Sequence, residues 1–451
     1  MEPARSLYKK DVDFEALALQ YRDFAKQYVK LSVVYSRLLI RIVTSLKPNK
    51  QLDFTDPAAV RQLTTTLLQK DFQLKVKIPE DRLCPPVPNR LKYIIWIQDL
   101  IDSTAEGSNE GYDREREVVG LDIGTGCIGI YPLLGCTTRP GWKFVATDID
   151  PGNIHTAREN VALNELESRI RIIESDPDGP LFPLEKLGRE GLDFTMCNPP
   201  FYTSRDELVE SAKQKKRPPF SACTGAEVEM VTRGGEIDFV RKMIDESLHL
   251  RGRIQWYTSM LGKMSSVSVL VEELIKHENH NYAVTEFDQG SKTKRWAVAW
   301  SWGDRRPPVD VARGIPNLPK SLLPFPTDYT FTLPSDISID ATSETLKKEL
   351  ASLPWFWRWN EKDFTGTGFA GENVWSRQAR RKMKLAEGND MTKLKDPPAK
   401  VALGVRVRLR LALGEKAEEK KVEALVRWIQ GTDTVLFESF CGMVKRKLES
   451  R

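Results

Sequence analysis

The feature that most constrains the fold is a regular alternation of short apolar runs and helical patterns between residues 118 and 303. The apolar runs that predict strands are 118–123, 143–147, 170–174, 192–197, 253–258 and 297–302, and the helical patterns are 158–164 and 235–250. Strands that alternate with helices are typical of a parallel sheet with helices on both faces. The sequence therefore predicts a doubly wound α/β domain over residues 116–303.

Residues 1–115 precede this domain and show helical patterning. Asp56 can cap a helix that has Pro57 in its first turn, and residues 58–68 carry apolar side chains at helical spacing. The apolar run 31–46 is interrupted by arginines and is shorter than a membrane span, so it predicts a buried or partner-facing segment. We expect a helical N-terminal extension and no membrane partner.

The C-terminal third changes character twice. Residues 304–350 begin with a proline-rich stretch that lacks periodicity and predict a linker. Within residues 351–451, the segment 401–413 alternates valine and leucine with arginine, which indicates a strand with one apolar and one basic face. Residues 422–429 and 434–448 complete the pattern of a small α+β domain. We expect this domain to bind RNA, because it adds the arginine-faced strand and the run 445–447 to the basic residues of the chain.

Composition removes two classes of site from consideration. The chain has six cysteines without a CxxC pair and only four histidines, which argues against a metal site and a disulfide framework. The formal net charge of +5 permits a nucleic-acid partner without requiring one, so the placement of the basic residues matters more than their number.

A glycine-rich loop, GTGCIG, follows the first predicted strand and contains Gly124 and Gly126. Asp148 ends the second strand, where a carboxylate can accept hydrogen bonds from both hydroxyls of a ribose. Nicotinamide dehydrogenases and class I methyltransferases share this pair. Asp122 and Asp176 favour methyl transfer, because Asp122 can pair with a methionine ammonium and Asp176 can bind an adenine edge.

The fourth predicted strand delivers the tetrapeptide Asn198-Pro199-Pro200-Phe201 at its carboxyl end. The Asn side-chain oxygen and a proline carbonyl can each accept one N–H of an exocyclic amine, which directs the nitrogen lone pair towards a methyl donor. The ring of Phe201 offers a face on which a base can stack. The pattern predicts methylation of a planar nitrogen, with Asn198, Pro199, Pro200 and Phe201 as the catalytic residues and Asn198 also beside the cofactor.

Two basic runs flank this edge of the predicted sheet. They comprise Lys213, Lys215, Lys216 and Arg217 after the tetrapeptide, and Lys292, Lys294 and Arg295 before the last strand. A single charge run is often a solvated face, but two runs beside one active-site edge favour contacts with phosphates. A target adenine must leave its base stack to be methylated, so an unpaired base is expected.

Beyond these motifs, the sequence resembles the methyltransferase-like-sixteen family, the adenosine N6-methyltransferases of U6 small nuclear RNA and related structured RNAs. The resemblance extends over residues 8–303. The runs that carry it include RLKY at 90–93, LDIGTG at 121–126, IYPLLG at 130–135, MCNPPF at 196–201, RPP at 217–219, GGE at 234–236, MLGK at 260–263 and RWA at 295–297.

The resemblance implies a class I methyltransferase with a Rossmann-like doubly wound sheet, S-adenosyl-L-methionine as the cofactor and structured RNA, with U6 small nuclear RNA favoured, as the partner. It implies a nuclear location, with the cytoplasm as a further one. By position, Arg90, Gly124 and Asp148 match cofactor-binding residues. RNA contacts match the N-terminal extension, 213–219, 260–264 with Lys263, and 289–296.

The sequence departs from the family in three places. Residues 31–43 look inserted, the loop at 175–180 is acidic where the family carries lysine, and the C-terminal region is shorter than in animal members. Two other functions stay open on the residues alone, a protein glutamine methyltransferase and an RNA-binding protein with vestigial methylation. A nicotinamide enzyme is a more distant alternative.

Overall fold

The structure is a computed structural model in which the chain divides into two compact units. It describes residues 2–8, 12–28, 52, 54, 56–105, 111–204, 207, 227–288, 294–334, 338–379, 381, 394–413 and 420–449. The first unit comprises Met1–Ile101, Tyr112–Glu278 and Val284–Ser301, and the second comprises Asp102–Gly111, Asn279–Ala283 and Trp302–Arg451. The predicted segment 31–46 lies outside the described residues.

Helices occupy the N-terminal part of the first unit. They are α1 (Glu2–Ser6), α2 (Phe14–Gln20), α3 (Arg22–Tyr28), α4 (Pro57–Phe72) and α5 (Val87–Ser103). The Asp56 carboxylate accepts the Ala58 N–H at 2.9 Å, and Pro57 begins α4, as predicted. Helix α5 is largely buried, and the Tyr93 hydroxyl lies 2.7 Å from that of Thr258. The predicted helical character of this region is confirmed.

A twisted sheet forms the centre of the first unit. Its strands are β1 (Val118–Ile123), β2 (Trp142–Asp148), β3 (Ile170–Glu174), β4 (Leu192–Cys197), β5 (Ile254–Leu261), β6 (Tyr282–Asp288) and β7 (Lys294–Trp300). They lie in the order β3-β2-β1-β4-β5-β7-β6. Neighbours from β3 to β5 are parallel, and β7 is antiparallel to β5. Every residue of β1 is buried, as expected of a central strand covered on both faces.

The connecting helices are α6 (Ile130–Thr138), α7 (Pro151–Leu163), α8 (Leu184–Leu187), α9 (Glu227–Met230), α10 (Gly235–Leu250) and α11 (Met264–Lys276), with a 3-10 turn at Arg251–Arg253. The predicted helix 235–250 is confirmed, whereas the helix predicted at 158–164 begins at Pro151. Asp150 caps its start by accepting the Asn153 N–H at 2.8 Å.

The strand order reverses between β1 and β4. In open α/β sheets, ligands bind outside the carboxyl ends of the strands at such a reversal. The glycine loop follows β1 and the tetrapeptide follows β4. The topology therefore brings the two predicted motifs to one edge of the sheet.

The second unit contains an antiparallel sheet. Its strands are β9 (Asp328–Thr332), β10 (Phe356–Asn360), β11 (Thr365–Ala370), β12 (Leu403–Leu413) and β13 (Lys420–Gln430), in the order β10-β11-β12-β13-β9. The unit also contains α12 (Val309–Ala312), β8 (Arg313–Gly314), a 3-10 turn at Lys320–Leu322, α13 (Ile339–Ala351) and α14 (Thr434–Glu449). Val405, Val407 and Leu409 of β12 belong to the core, whereas Arg408 and Arg410 are exposed.

The structure differs from the linker expected at residues 304–350. This segment supplies β9, which pairs with β13, and α13, which packs against β12 and α14. Phe331 and Leu346 lie in the core of the second unit. Strand β9 has only five residues, too few to show a clear alternation of apolar and polar side chains. Its pairing with β13 therefore determines its structure.

Within the described ranges, no helix is long and apolar enough to cross a membrane. The same residues contain no group of three His, Cys, Asp or Glu side chains that could hold a metal ion.

Candidate active site

The glycine loop turns sharply at the carboxyl end of β1. Gly124 and Gly126 have φ values of +70° and +67°, which L side chains rarely adopt. A Cβ on Gly124 would meet no atom within 4 Å, so the backbone there is open to the cavity beside it. Backbone N–H groups of Gly124 and Thr125 both donate to the Thr147 carbonyl at 2.9 Å, which ties the loop to β2.

Asp148 lies at the end of β2, opposite the glycine loop. One carboxylate oxygen accepts the Gly126 N–H at 2.8 Å, and the other accepts the Asp150 N–H at 3.0 Å and an Asn153 amide N–H at 3.4 Å. Burial raises the pKa of Asp148, although these hydrogen bonds oppose the effect. The residue is held rigidly at the place where the sequence predicted a ribose ligand.

Asp122, in β1, is fully buried, at 0 % exposure. Within the described part of the chain, neither of its carboxylate oxygens has a hydrogen-bond partner of normal geometry. Burial raises the pKa of Asp122 to about 7, and the nearby Thr125 hydroxyl and Arg90 guanidinium oppose it only in part. A buried acceptor without a donor is costly and calls for a complementary group.

Arg90 projects from α5 into the same region and is 7 % exposed. It donates to the Tyr131 hydroxyl at 2.8 Å, and its guanidinium carbon lies 5.4 Å from the centre of the Tyr131 ring. Its Nε has no partner among the described residues. Asp122 and Arg90 therefore offer a negative and a positive group to one ligand.

The tetrapeptide leaves β4 at the opposite side of the cavity. The side-chain oxygen of Asn198 is buried and has no hydrogen-bond partner in the described ranges. Asn198 and Pro200 line the cavity, and the Arg295 guanidinium carbon lies 5.2 Å from the centre of the Phe201 ring. Burial lowers the pKa of Arg295. The free amide oxygen is the acceptor that methylation of an amine requires.

A cavity of about 260 Å³ connects these groups. It is lined by Gly124, Gly126, Arg90, Asp148, Asn198 and Asp176, among others. Asp122 is not itself among the lining residues, although Ile123 and Gly124 next to it are. Asp176 is an exposed lining residue whose carboxylate accepts the Asp178 N–H at 3.0 Å. The Asp122 carboxylate, the Arg90 guanidinium and the Asp148 carboxylate match, in that order, the ammonium, the carboxylate and the ribose hydroxyls of the predicted cofactor, so the site fits it.

The described basic residues near this edge are engaged by carboxylates or rings. Lys263 pairs with Glu207 at 3.0 Å, and Lys294 pairs with Glu286 at 2.6 Å. Hydrogen bonds from Thr203 and Lys263 lower the pKa of Glu207 to about 2, so it is ionised at neutral pH. Both lysines are exposed enough for a phosphate to compete with the carboxylate. The other predicted RNA contacts, Lys213, Lys215, Lys216, Arg217 and Lys292, lie outside the described residues.

Three residues of the site were not predicted from the sequence. Tyr131 orients Arg90, and Glu229 lines the cavity and accepts the Leu83 N–H at 2.9 Å. Glu236 fixes the turn after β5, as described below. The runs IYPLLG and GGE contain Tyr131 and Glu236, but no quoted run contains Glu229. The partners of the three residues are 41, 146 and about 30 residues away along the chain, so no local pattern shows these contacts.

Comparison with known proteins gives a consistent result. A family model described as RNA methyltransferase matches residues 4–304. The U6 small nuclear RNA (adenine-(43)-N(6))-methyltransferase of Schizosaccharomyces pombe is 35% identical over 413 residues, which cover 91% of this chain and 98% of that protein. Human RNA N(6)-adenosine-methyltransferase METTL16 is 41% identical over 305 residues, or 67% of this chain and 50% of the human protein.

Solved structures extend the likeness to the fold. The human METTL16 catalytic domain in complex with MAT2A 3'UTR hairpin 1 has a TM-score of 0.55 and 38% identity, covering 66% of this chain and 94% of that one. The N-terminal domain of human METTL16 in complex with SAH has a TM-score of 0.52 and 38% identity, covering 67% of this chain and 98% of that one. The predicted class I methyltransferase fold is confirmed.

Proposed function

Because this chain belongs to the RNA methyltransferase family, we propose that it transfers a methyl group from S-adenosyl-L-methionine to the N6 atom of an unpaired adenine in U6 small nuclear RNA. The relative from Schizosaccharomyces pombe, which the chain matches over nearly its full length, carries this activity in its name. A small nuclear RNA substrate implies a nuclear enzyme. A further cytoplasmic location stays a prediction.

One observation in the structure carries the chemical part of the proposal. The buried Asn198 oxygen lacks a donor within the described residues and lies at the end of β4, on the same cavity as the glycine loop and Asp148. An exocyclic amine supplies that donor. Accepting its N–H holds the nitrogen lone pair towards the methyl group, so catalysis is mainly positioning.

The cofactor roles follow from the same cavity. Asp148 would bind the ribose hydroxyls, Asp122 the methionine ammonium and Arg90 the methionine carboxylate. The Gly124–Gly126 backbone lies open to the ligand, and Asp176 would lie beside the adenine. The cofactor supplies an electrophilic sulfonium methyl, and the chain supplies orientation and charge complementarity.

RNA binding is proposed for both units. Around the cavity, Lys263, Lys294 and Arg295 would contact the RNA, together with the basic run 213–217. In the second unit, arginines of β12 lie on the face opposite the core: Arg408 is exposed, and Arg410 pairs with Glu423. Basic side chains on an open sheet face suit the phosphate backbone.

Incubation with labelled S-adenosyl-L-methionine tests the function. Purified protein is given total RNA or total protein, and the products are digested to nucleosides or amino acids. The proposal predicts label in N6-methyladenosine and none in methylated glutamine, and it predicts that Asn198→Ala abolishes transfer while RNA is still retained. Label in glutamine would establish the alternative, and an active Asn198→Ala variant would remove the assigned role of Asn198.

A further inference from the structure

Glu236 is a buried carboxylate that the proposed reaction does not use directly. It is the second residue of α10 and is 3 % exposed. One of its oxygens accepts the Gly262 N–H at 2.6 Å, and the other accepts the Lys263 N–H at 3.2 Å and the Ser266 hydroxyl at 2.5 Å. The carboxylate thus holds the turn between β5 and the first turn of α11.

This turn lies directly against the ring of Phe201. A Cβ on Gly262 would lie 3.0 Å from Cδ1 and 3.3 Å from Cγ of that ring. Real Cβ atoms rarely approach another atom so closely, so the main chain at Gly262 serves as a wall for the ring. Arg295 contacts the same ring, with its guanidinium carbon 5.2 Å from the ring centre.

The start of α10 touches the main chain of the tetrapeptide as well. Gly235 has a φ of +63°, and a Cβ there would lie 3.1 Å from Cγ2 of Thr203 and 3.4 Å from the Phe201 carbonyl oxygen. The backbone beside Glu236 therefore packs on the Phe201 main chain, while the Glu236 side chain fixes the wall against the Phe201 ring.

We propose that Glu236 is a positioning residue that sets the orientation of the Phe201 ring on which the target adenine stacks. The inference rests on the proposed function, because it concerns the base that this function methylates. A displacement of about 1 Å in a reacting group can lower a rate by about a hundredfold. Loss of this wall should therefore lower kcat more than it lowers the affinity for RNA or cofactor.

A carboxylate is needed because all three of its partners are donors. Glu236→Gln keeps the size of the side chain but turns an NH2 group towards a backbone N–H on at least one side. Two donors cannot share a hydrogen bond, so the turn must shift. Gly262→Ala disturbs the same wall from the main-chain side, because its methyl group would lie 3.0 Å from the Phe201 ring and 3.2 Å from Oε2 of Glu236.

Asp193 provides a matched control. It lies near the amino end of β4, at the opposite edge of the sheet from the tetrapeptide. One of its carboxylate oxygens accepts the Val119 N–H at 2.8 Å, and the other pairs with the Arg116 guanidinium at 3.1 Å. Asp193→Asn makes the same kind of change as Glu236→Gln, because the amide must turn an NH2 group towards one of the two donors that the carboxylate accepts. It should affect stability without affecting the orientation of Phe201.

The experiment compares the wild type with Glu236→Gln, Gly262→Ala and Asp193→Asn. Three measurements are made: cofactor affinity by calorimetry, the kinetic constants kcat and KM with U6 small nuclear RNA, and the fluorescence of 2-aminopurine placed in that RNA at the methylated position. Stacking of 2-aminopurine on Phe201 quenches its fluorescence, so the signal reports the ring directly. Phe201→Ala gives the unquenched reference.

We expect Glu236→Gln and Gly262→Ala to lower kcat about tenfold or more, with less quenching and unchanged cofactor affinity, while Asp193→Asn matches the wild type in all three. Wild-type kcat and quenching in both variants would overturn the inference, as would a loss of cofactor affinity that parallels the loss of kcat. If Glu236→Gln does not fold, Gly262→Ala decides. A wild-type protein that makes no N6-methyladenosine would refute the proposed function instead.

Discussion

Replacing Asp122 by asparagine should stabilise the cofactor-free protein, and the gain should grow with pH. Asp122 is fully buried, and its carboxylate oxygens have no hydrogen-bond partner of normal geometry among the described residues, so burial raises its pKa from 3.8 to about 7. A raised acid pKa in the folded state means that the unfolded state loses its proton first as the pH rises. The contribution of Asp122 to the free energy of unfolding therefore falls between about pH 4 and pH 7 and then levels off.

The magnitude follows from that pKa difference. One pKa unit corresponds to about 1.4 kcal/mol, so ionised Asp122 costs about 4 kcal/mol of folding free energy at pH 8. At pH 5 the folded protein keeps the proton, and the cost is only about 2 kcal/mol. Asparagine does not titrate. The free-energy advantage of Asp122→Asn over the wild type should thus increase by about 2 to 3 kcal/mol from pH 5 to pH 8.

Urea denaturation at pH 5, 6, 7 and 8 measures this quantity for both proteins without cofactor. The free-energy difference between a carboxyl and an amide group in this place does not depend on pH. It therefore cancels when the two proteins are compared at several pH values. A free-energy difference that stays constant across this range would show that the pKa of Asp122 is not raised in the folded protein. The same account predicts that cofactor affinity of the wild type falls below about pH 7, and that Asp122→Asn binds cofactor weakly and with little pH dependence.

Three other predictions concern the cofactor loop and the RNA surface. Gly124→Ala places an L side chain at a φ of +70° with open space around it, so strain alone should cost about 1–2 kcal/mol, seen as a lower Tm and weaker cofactor binding. Lys263→Ala and Lys294→Ala should each lower the slope of log affinity for RNA against log salt by about one, and an unchanged slope would exclude a phosphate contact. Arg408→Ala should weaken RNA binding but leave kcat unchanged at saturating RNA, as an equilibrium binding assay and a rate assay can show.

Much of the first unit was predictable, because its strands and helices carry their own periodic patterns. The bounds of β1, β3 and β4 and of α10 agree with the sequence patterns. The missed strand β6 has its apolar residues in a run, YAVTEFD, that also contains charged and polar residues. The sheet order places β6 beside β7, and the residues of β6 alone do not show this pairing.

The site was predictable to the extent that its residues follow strands. Asp122, Gly124, Asp148 and Asn198 each lie at or near the end of a parallel strand, and the topology brings such ends together. Glu236 could not be identified in this way. Its partners begin 26 residues further along the chain, and only the folded structure shows that its carboxylate holds the wall of the Phe201 ring.

The proposed identity of the substrate is tested most directly in cells that produce either the wild-type protein or Asn198→Ala as their sole form. U6 small nuclear RNA is purified from both, and its N6-methyladenosine content is measured by mass spectrometry of nucleosides. We expect N6-methyladenosine in U6 RNA from wild-type cells and its loss in the Asn198→Ala cells, with equal protein levels. An unchanged content in the Asn198→Ala cells would contradict this expectation.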